Sequence, residues 1–332
     1  MERQDGNHAQ SDVMEARLNP LNTEAIKKEF AAVGWANLIP FKNWFTDRPW
    51  TLLWVQFMGF TFGFPFLLIN YYSNSESTLV ESAWVFGIYF SFIWAVLIHR
   101  CVRPGTIGFR YIVSTWLFTS LLGVMIVIAV SVLGSIAPVT RDVFQASQSA
   151  NIFKRLIGIT LAVGVVEESA KLLPVLWYAH KCKSQLRPTT VAYIGIISGL
   201  AFGATEAIMY SVEYATGLQS AQIGLGDYLI VQILRLICLP FLHAIWTGIS
   251  AYFVGLAFQT ASINRAVILV GLCGVALLHG LYDTFANGWM GFFIAIASFA
   301  VFIGYIRDES STINAMTLNL GRTSLESSGS TE

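Results

Sequence analysis

The chain has 332 residues, 55% of them hydrophobic and 12% charged, with twenty basic and twenty acidic side chains in balance. Soluble domains carry about 25% charged residues, so the composition excludes an ordinary soluble domain. No Lys/Arg tract or aromatic-basic groove points to nucleic acid. The cysteines Cys101, Cys182, Cys238 and Cys273 have no paired spacing and two lie in apolar runs, which indicates neither a disulfide framework nor a thiolate metal site.

Residues 1–49 are mostly polar, lack a cleavable signal pattern, and read as a cytoplasmic tail with an interfacial segment. Thr23 to Val33 suits a short helix, and Phe41, Trp44, Phe45 and Trp50 resemble an aromatic belt at the membrane surface. Apolar runs then follow at 50–70, 83–99, 111–136, 156–180, 191–214, 228–258, 264–287 and 289–306. Runs of about 18–25 residues cross a ~30 Å hydrocarbon core at 1.5 Å per residue. The expected fold is therefore all-α, a polytopic transmembrane bundle of about eight helices with disordered termini. The sixth run is long for one straight crossing, and Pro240 inside it predicts a break or kink. Residues 308–332 are polar and Ser-rich, as expected of a disordered tail. No internal repeat supports an inverted-repeat transporter.

Basic residues set the orientation. Arg100, Arg103 and Arg110 follow the second run, Lys181, Lys183 and Arg187 the fourth, Arg265 the sixth and Arg307 the eighth, whereas 71–82 and 215–227 contain neither Lys nor Arg. Both termini are thus expected in the cytoplasm, with the chain in the plasma (inner) membrane. The loop 137–155, with Arg141, Lys154 and Arg155, dissents from that arrangement.

Glu167, Glu168, Lys171, Glu206, Arg235 and Asp283 lie within the later runs, joined by His243 and His279. At roughly 3 kcal/mol for each charge facing lipid, these six would cost on the order of 18 kcal/mol. They must face one another, water or a metal, or else be neutralised. Glu167 and Lys171 are four apart on one helix face and can pair. His279 and Asp283 share the same spacing, which lets two side chains grip one ion or one water. Gly195, Gly199 and Gly203 form a small-residue face for close helix approach, with Glu206 beside it, and His243, Thr247 and Ser250 make a polar stripe. Counted along their runs, Glu168, Glu206, His243 and His279 fall at similar depth. Two adjacent carboxylates repel, which suits one of them to act as a general base. Arg235 reads as structural, a partner for Glu206 or Asp227.

At these residues the chain resembles a known family. Glu167-Glu168-Ser169-Ala170-Lys171 is similar to the EExxK motif of the PrsW-type intramembrane proteases, and Phe202-Gly203-Ala204-Thr205-Glu206 to their FxxxE motif. His243, within Pro240 to Thr247, and His279, within His279-Gly280-Leu281-Tyr282-Asp283, fit the remaining histidine positions. In the wider CAAX-protease and bacteriocin-processing superfamily the first motif is EExxxR and the second ends in His. Lys171 and Glu206 favour the PrsW branch, while Leu239 stands where relatives often have an aromatic residue. The likeness spans residues 156–287, read as a four-helix catalytic core between three helices in 50–155 and a last helix in 288–307.

The resemblance implies an intramembrane metalloprotease acting on a membrane protein, of which an anti-sigma factor is the family's example. Glu167, Glu168 and Lys171 would form the catalytic set. His243, His279, Glu206 and Asp283 would hold a metal, with zinc expected, or would stabilise the oxyanion directly. The alternatives are a proton- or ion-coupled transporter and a zinc-dependent membrane lipid amidase.

Overall fold

The computed structural model describes residues 76–182, 186–219, 225–259, 264–286 and 288–309, and for 76–86, 211–219 and 225–234 it describes the backbone alone. The expected span at 50–70, the interfacial segment before it and the tail from 310 lie outside the described residues. All described elements are helical: α1 (Glu76–Val102), α2 (Phe109–Ile136), α3 (Arg141–Ala146), α4 (Ile152–Ile159), α5 (Val165–Cys182), α6 (Pro188–Gln219), α7 (Leu225–Ala257), α8 (Arg265–Phe285) and α9 (Trp289–Arg307). Each of the seven described apolar runs lies in helix, although α1 begins seven residues before the expected 83 and the run at 156–180 is divided between α4, a π-helical turn and α5.

Five of these helices are long and apolar enough to cross a membrane: α2, α6 over Pro188–Tyr210, α7 over Arg235–Ala257, α8 and α9. The chain is an integral membrane protein. The stretch 152–182 falls outside that set because Glu167, Glu168 and Lys171 interrupt its apolar character.

The centre of the molecule is the α6–α7 pair, which meets along the predicted glycine face. A Cβ on Gly195 would press on Thr247 and Ala251, one on Gly199 on the His243 and Ala244 backbone, and one on Gly203 on Pro240. Lipid tails are as apolar as the side chains, so no hydrophobic drive holds two helices together in a bilayer. Close backbone approach at glycine supplies the van der Waals contact instead. α1 lies against this pair, with Trp94 buried in the core and Tyr193 donating to Ala95 O at 3.1 Å.

Of the expected break or kink at Pro240 the break is absent, since α7 continues as helix from Leu225 to Ala257. Proline removes one intrahelical donor and loosens the preceding turn. In that turn the buried Trp94 indole donates to Ile237 O at 3.0 Å, and Pro240 rests against Gly203. The bond Pro240 cannot make would have ended on Leu236 O, so the Trp94 indole reinforces the loosened turn one residue further on rather than replacing that bond. α5 repeats the device: Pro174 lies inside the helix, and three residues earlier Lys171 O accepts from Ser198 Oγ at 2.7 Å.

Candidate active site

The site is assembled from α5, α6, α7 and α8. Immediately before α5 the helix opens into a π-helical turn at Thr160–Gly164. The added residue shifts the phase of the succeeding helix by about 100°. Gly164 allows the chain to lie directly on α8, since a Cβ there would come within 2.6 Å of Ala276 O. Glu167, Glu168 and Lys171 are consequently all buried.

Lys171 is the hub. Its Nζ lies 3.0 Å from Glu167 Oε2, 2.8 Å from Glu168 Oε1 and 2.7 Å from His243 Nδ1, and 4.1 Å above the Phe202 ring. An ammonium offers three N–H donors and no acceptor, so these contacts use its full capacity. The predicted pairing with Glu167 is present, and the same cation also holds Glu168 and reaches α7. A charge removed from water is tolerated only when paired and hydrogen-bonded, and here it is.

Glu168 has partners on both oxygens. Oε1 accepts from Lys171 and faces His279 Nδ1 at 3.1 Å, while Oε2 accepts from Thr247 Oγ1 at 3.1 Å. Glu167 receives only the Lys171 bond among the described residues, and its Oε2 lies 3.8 Å from His279 Nε2. Sequence does not distinguish these neighbours; their surroundings do.

The histidines come together from α7 and α8 with ring centres 5.3 Å apart. Because Glu168 takes the Nδ1 side of His279, its Nε2 is directed to the opposite side, 3.3 Å from Asp283 Oδ2. Trp246 stacks on the His279 ring at 4.5 Å and donates its Nε1–H to Ser298 Oγ of α9 at 3.1 Å. His243 Nε2 lies 2.8 Å from Glu206 Oε2, yet both atoms are buried and neither completes a hydrogen bond. They converge side by side rather than in line.

Exposure grades across the cluster. The side chain of Glu168 is 0% exposed, that of Glu167 10%, of Glu206 23% and of Asp283 33%. The more exposed side of the cluster is therefore that of Glu206 and Asp283, near the C-terminal end of α8. Arg235 stands on α7 near this side with its guanidinium 3.9 Å from the Tyr210 ring centre.

The seven residues assigned to a site from the sequence, Glu167, Glu168, Lys171, Glu206, His243, His279 and Asp283, thus meet in one cluster, with Arg235 beside it. Supporting residues escaped notice. Trp246 and Ser298 form the stacking support of His279, and Thr119, in the π-helical turn Phe118–Gly123 of α2, lies 2.8 Å from Ser198 Oγ. A mid-span hydroxyl in an apolar run carries no signal of its own, because only its cross-helix partner gives it a role.

The donors fit a metal ion. One atom each from Glu167, His243 and His279 lie within 4.8 Å of one another. Glu206 and Asp283 flank the two imidazoles, and the uncompleted His243–Glu206 contact leaves two buried polar atoms to share a third centre. Imidazole and carboxylate are the donor set of catalytic zinc sites.

A family model described as PrsW family intramembrane metalloprotease matches residues 110–306. No curated protein and no solved structure matches the chain.

Proposed function

The chain belongs to the PrsW family of intramembrane metalloproteases, and from that premise we propose that it cleaves a peptide bond of a membrane protein with Glu167 as the general base. The observation that carries this reading is the convergence of Glu167, His243 and His279, all buried, with one atom of each within 4.8 Å of the others.

Peptide hydrolysis needs an activated water, a proton for the leaving amine and stabilisation of the oxyanion. Glu167 suits the first two tasks, since its carboxylate has one protein hydrogen bond and faces the more open side. It takes a proton from water and returns it to the amine. Glu168, enclosed and bonded on both oxygens, is a positioning residue that holds Lys171, Thr247 and His279 Nδ1. A carboxylate on Nδ1 leaves Nε2 of that imidazole as the ligand atom, an arrangement that orients metal-binding histidines. Lys171 neutralises the paired acids.

His243, His279 and the flanking Glu206 and Asp283 would hold the metal, for which zinc is the proposed identity. When bound, it supplies Lewis acidity and lowers the pKa of water. One contact favours a second reading. Lys171 can only donate, so its 2.7 Å contact makes His243 Nδ1 the acceptor and leaves the proton on Nε2. In that tautomer His243 Nε2–H serves as an oxyanion donor, and the hydrolysis is metal-free.

The catalytic core is residues 156–287, with α2 and α9 bracing it through Thr119 and Ser298. Both termini are proposed to face the cytoplasm from the plasma (inner) membrane. The substrate is a membrane protein, with an anti-sigma-like protein as the first candidate. The decisive test compares the membrane proteomes of cells expressing wild-type and Glu167→Gln protein. Fragments appearing only with wild type are expected, and identical fragment sets would defeat the assignment of the base. Elemental analysis of purified active protein should find about one zinc per chain; full activity in metal-free protein selects the second reading.

A further inference from the structure

A cavity of about 710 Å³ lies away from the ionisable cluster, between the C-terminal ends of α1 and α9 and the start of α6. Its volume falls in the range of ligand sites, about 300–1,000 Å³. Thr189 lines it, and Glu206 at the mouth of the active site lies on the same helix about 26 Å away at 1.5 Å per residue. The two sites are separate.

The walls have two characters. Toward the bilayer interior they are apolar, with Phe92 and Val96 of α1 facing Phe302, Ile303 and Ile306 of α9. Phe92 and Val96 are 67% and 41% exposed, so this part opens sideways to lipid. At the helix ends the lining turns basic, with Arg100, Arg103, Arg187 and Arg307 against the single carboxylate of Glu309. Phe92, Val96 and Arg100 recur at four-residue spacing, so one face of α1 runs from apolar to cationic toward the membrane surface.

Glu309 is already engaged, accepting from Arg187 at 2.8 Å and from the Thr189 N–H at 2.9 Å. Arg100 and Arg103 form no ion pair among the described residues. Two further features fit an absent anion. The buried Thr189 hydroxyl has no hydrogen-bond partner among the described residues. Arg103 caps α1 at φ 47°, a left-handed position that glycine adopts more easily than arginine.

We propose that this cavity binds an anionic phospholipid, its phosphate held by the arginines and an acyl chain lying in the groove between α1 and α9. Charge complementarity and lateral access together select this occupant. A soluble anion would not need the apolar groove, and a neutral lipid would not need the arginines. Basic pockets between membrane helices at the anionic leaflet are suited to such headgroups.

The test titrates purified, delipidated full-length protein in neutral detergent with dioleoyl-phosphatidylglycerol or dioleoyl-phosphatidylcholine, counting retained lipid by native mass spectrometry. Wild type is expected to retain one phosphatidylglycerol selectively. Arg100→Gln/Arg103→Gln should weaken that selectivity about 30-fold, from the typical surface contribution of two basic residues. Arg100→Lys/Arg103→Lys should keep most of it, which separates lost charge from lost fold. Equal retention of both lipids, an unaltered glutamine variant, or displacement of the lipid by excess inorganic phosphate would each overturn the proposal. Absence of selective binding by the full chain would leave the groove to bulk lipid or to another part of the protein, and would overturn it as well.

Discussion

α2 and the α6–α7 pair are all long apolar helices, yet they occupy opposite environments. Only 22% of the apolar window of α2 is buried inside the protein, against 89% for α6 and 83% for α7. The residues responsible are of different kinds. α2 presents Leu121, Leu122, Met125 and Leu133, each more than half exposed, while α6 and α7 meet through Gly195, Gly199, Gly203, Ala244 and Ala251. In a bilayer, apolar side chains are satisfied by lipid as well as by protein. What draws a helix inward is the chance of close backbone contact and of satisfying polar groups. The same helices that pack on glycine also carry Glu206, His243 and Thr247, because only an enclosed seam can hold them.

That contrast can be broken first at the ionisable cluster. Glu167→Gln is expected to lower peptide cleavage by about 10²–10⁴-fold with little change in apparent Tm, measured as substrate turnover beside thermal unfolding in detergent. Retained turnover would move the base elsewhere. Next in size is the seam itself. Gly199→Ala sets a methyl against the His243 backbone and should cost about 3 kcal/mol. Gly274→Ala in α8 meets nothing within 4 Å and should instead stabilise by up to about 1 kcal/mol. A pair of equal Tm shifts would show that the seam is not the tight element. Thr247→Val removes one bond to an enclosed carboxylate and should cost about 2 kcal/mol. If Glu168 positions His279, the loss should appear mainly in kcat rather than KM. Smallest of all, Leu121→Ala on the lipid face of α2 should stay within about 0.5 kcal/mol in the same unfolding assay.

Much of this was legible in the amino-acid order. Run length identified the helices, and four-residue spacing put Lys171 beside Glu167 and Asp283 beside His279. Those inferences are local, since helical geometry ties residues three or four apart whatever surrounds them. Pro240 shows where local reasoning stops. The missing donor is a property of the sequence, but the Trp94 indole that supports the loosened turn comes from 143 residues away. The pairing of Thr119 with Ser198 and the stacking of Trp246 on His279 were equally out of reach, because each depends on which helix faces become neighbours.

The order of residues by itself determined that this chain lives in a membrane, where its helices lie, and that its buried acids and imidazoles had to find one another, because an unpaired charge in lipid costs too much to leave unanswered. Tertiary structure alone decided how the surroundings of the twin glutamates differ. It closed Glu168 behind Lys171, Thr247 and His279 and left Glu167 on the more open side. It also gathered four arginines from three segments around one cavity. The physical reason is the same in both cases: the chemistry of a side chain is inherent in its residue type, whereas its solvent and its partners are created only when distant helices pack.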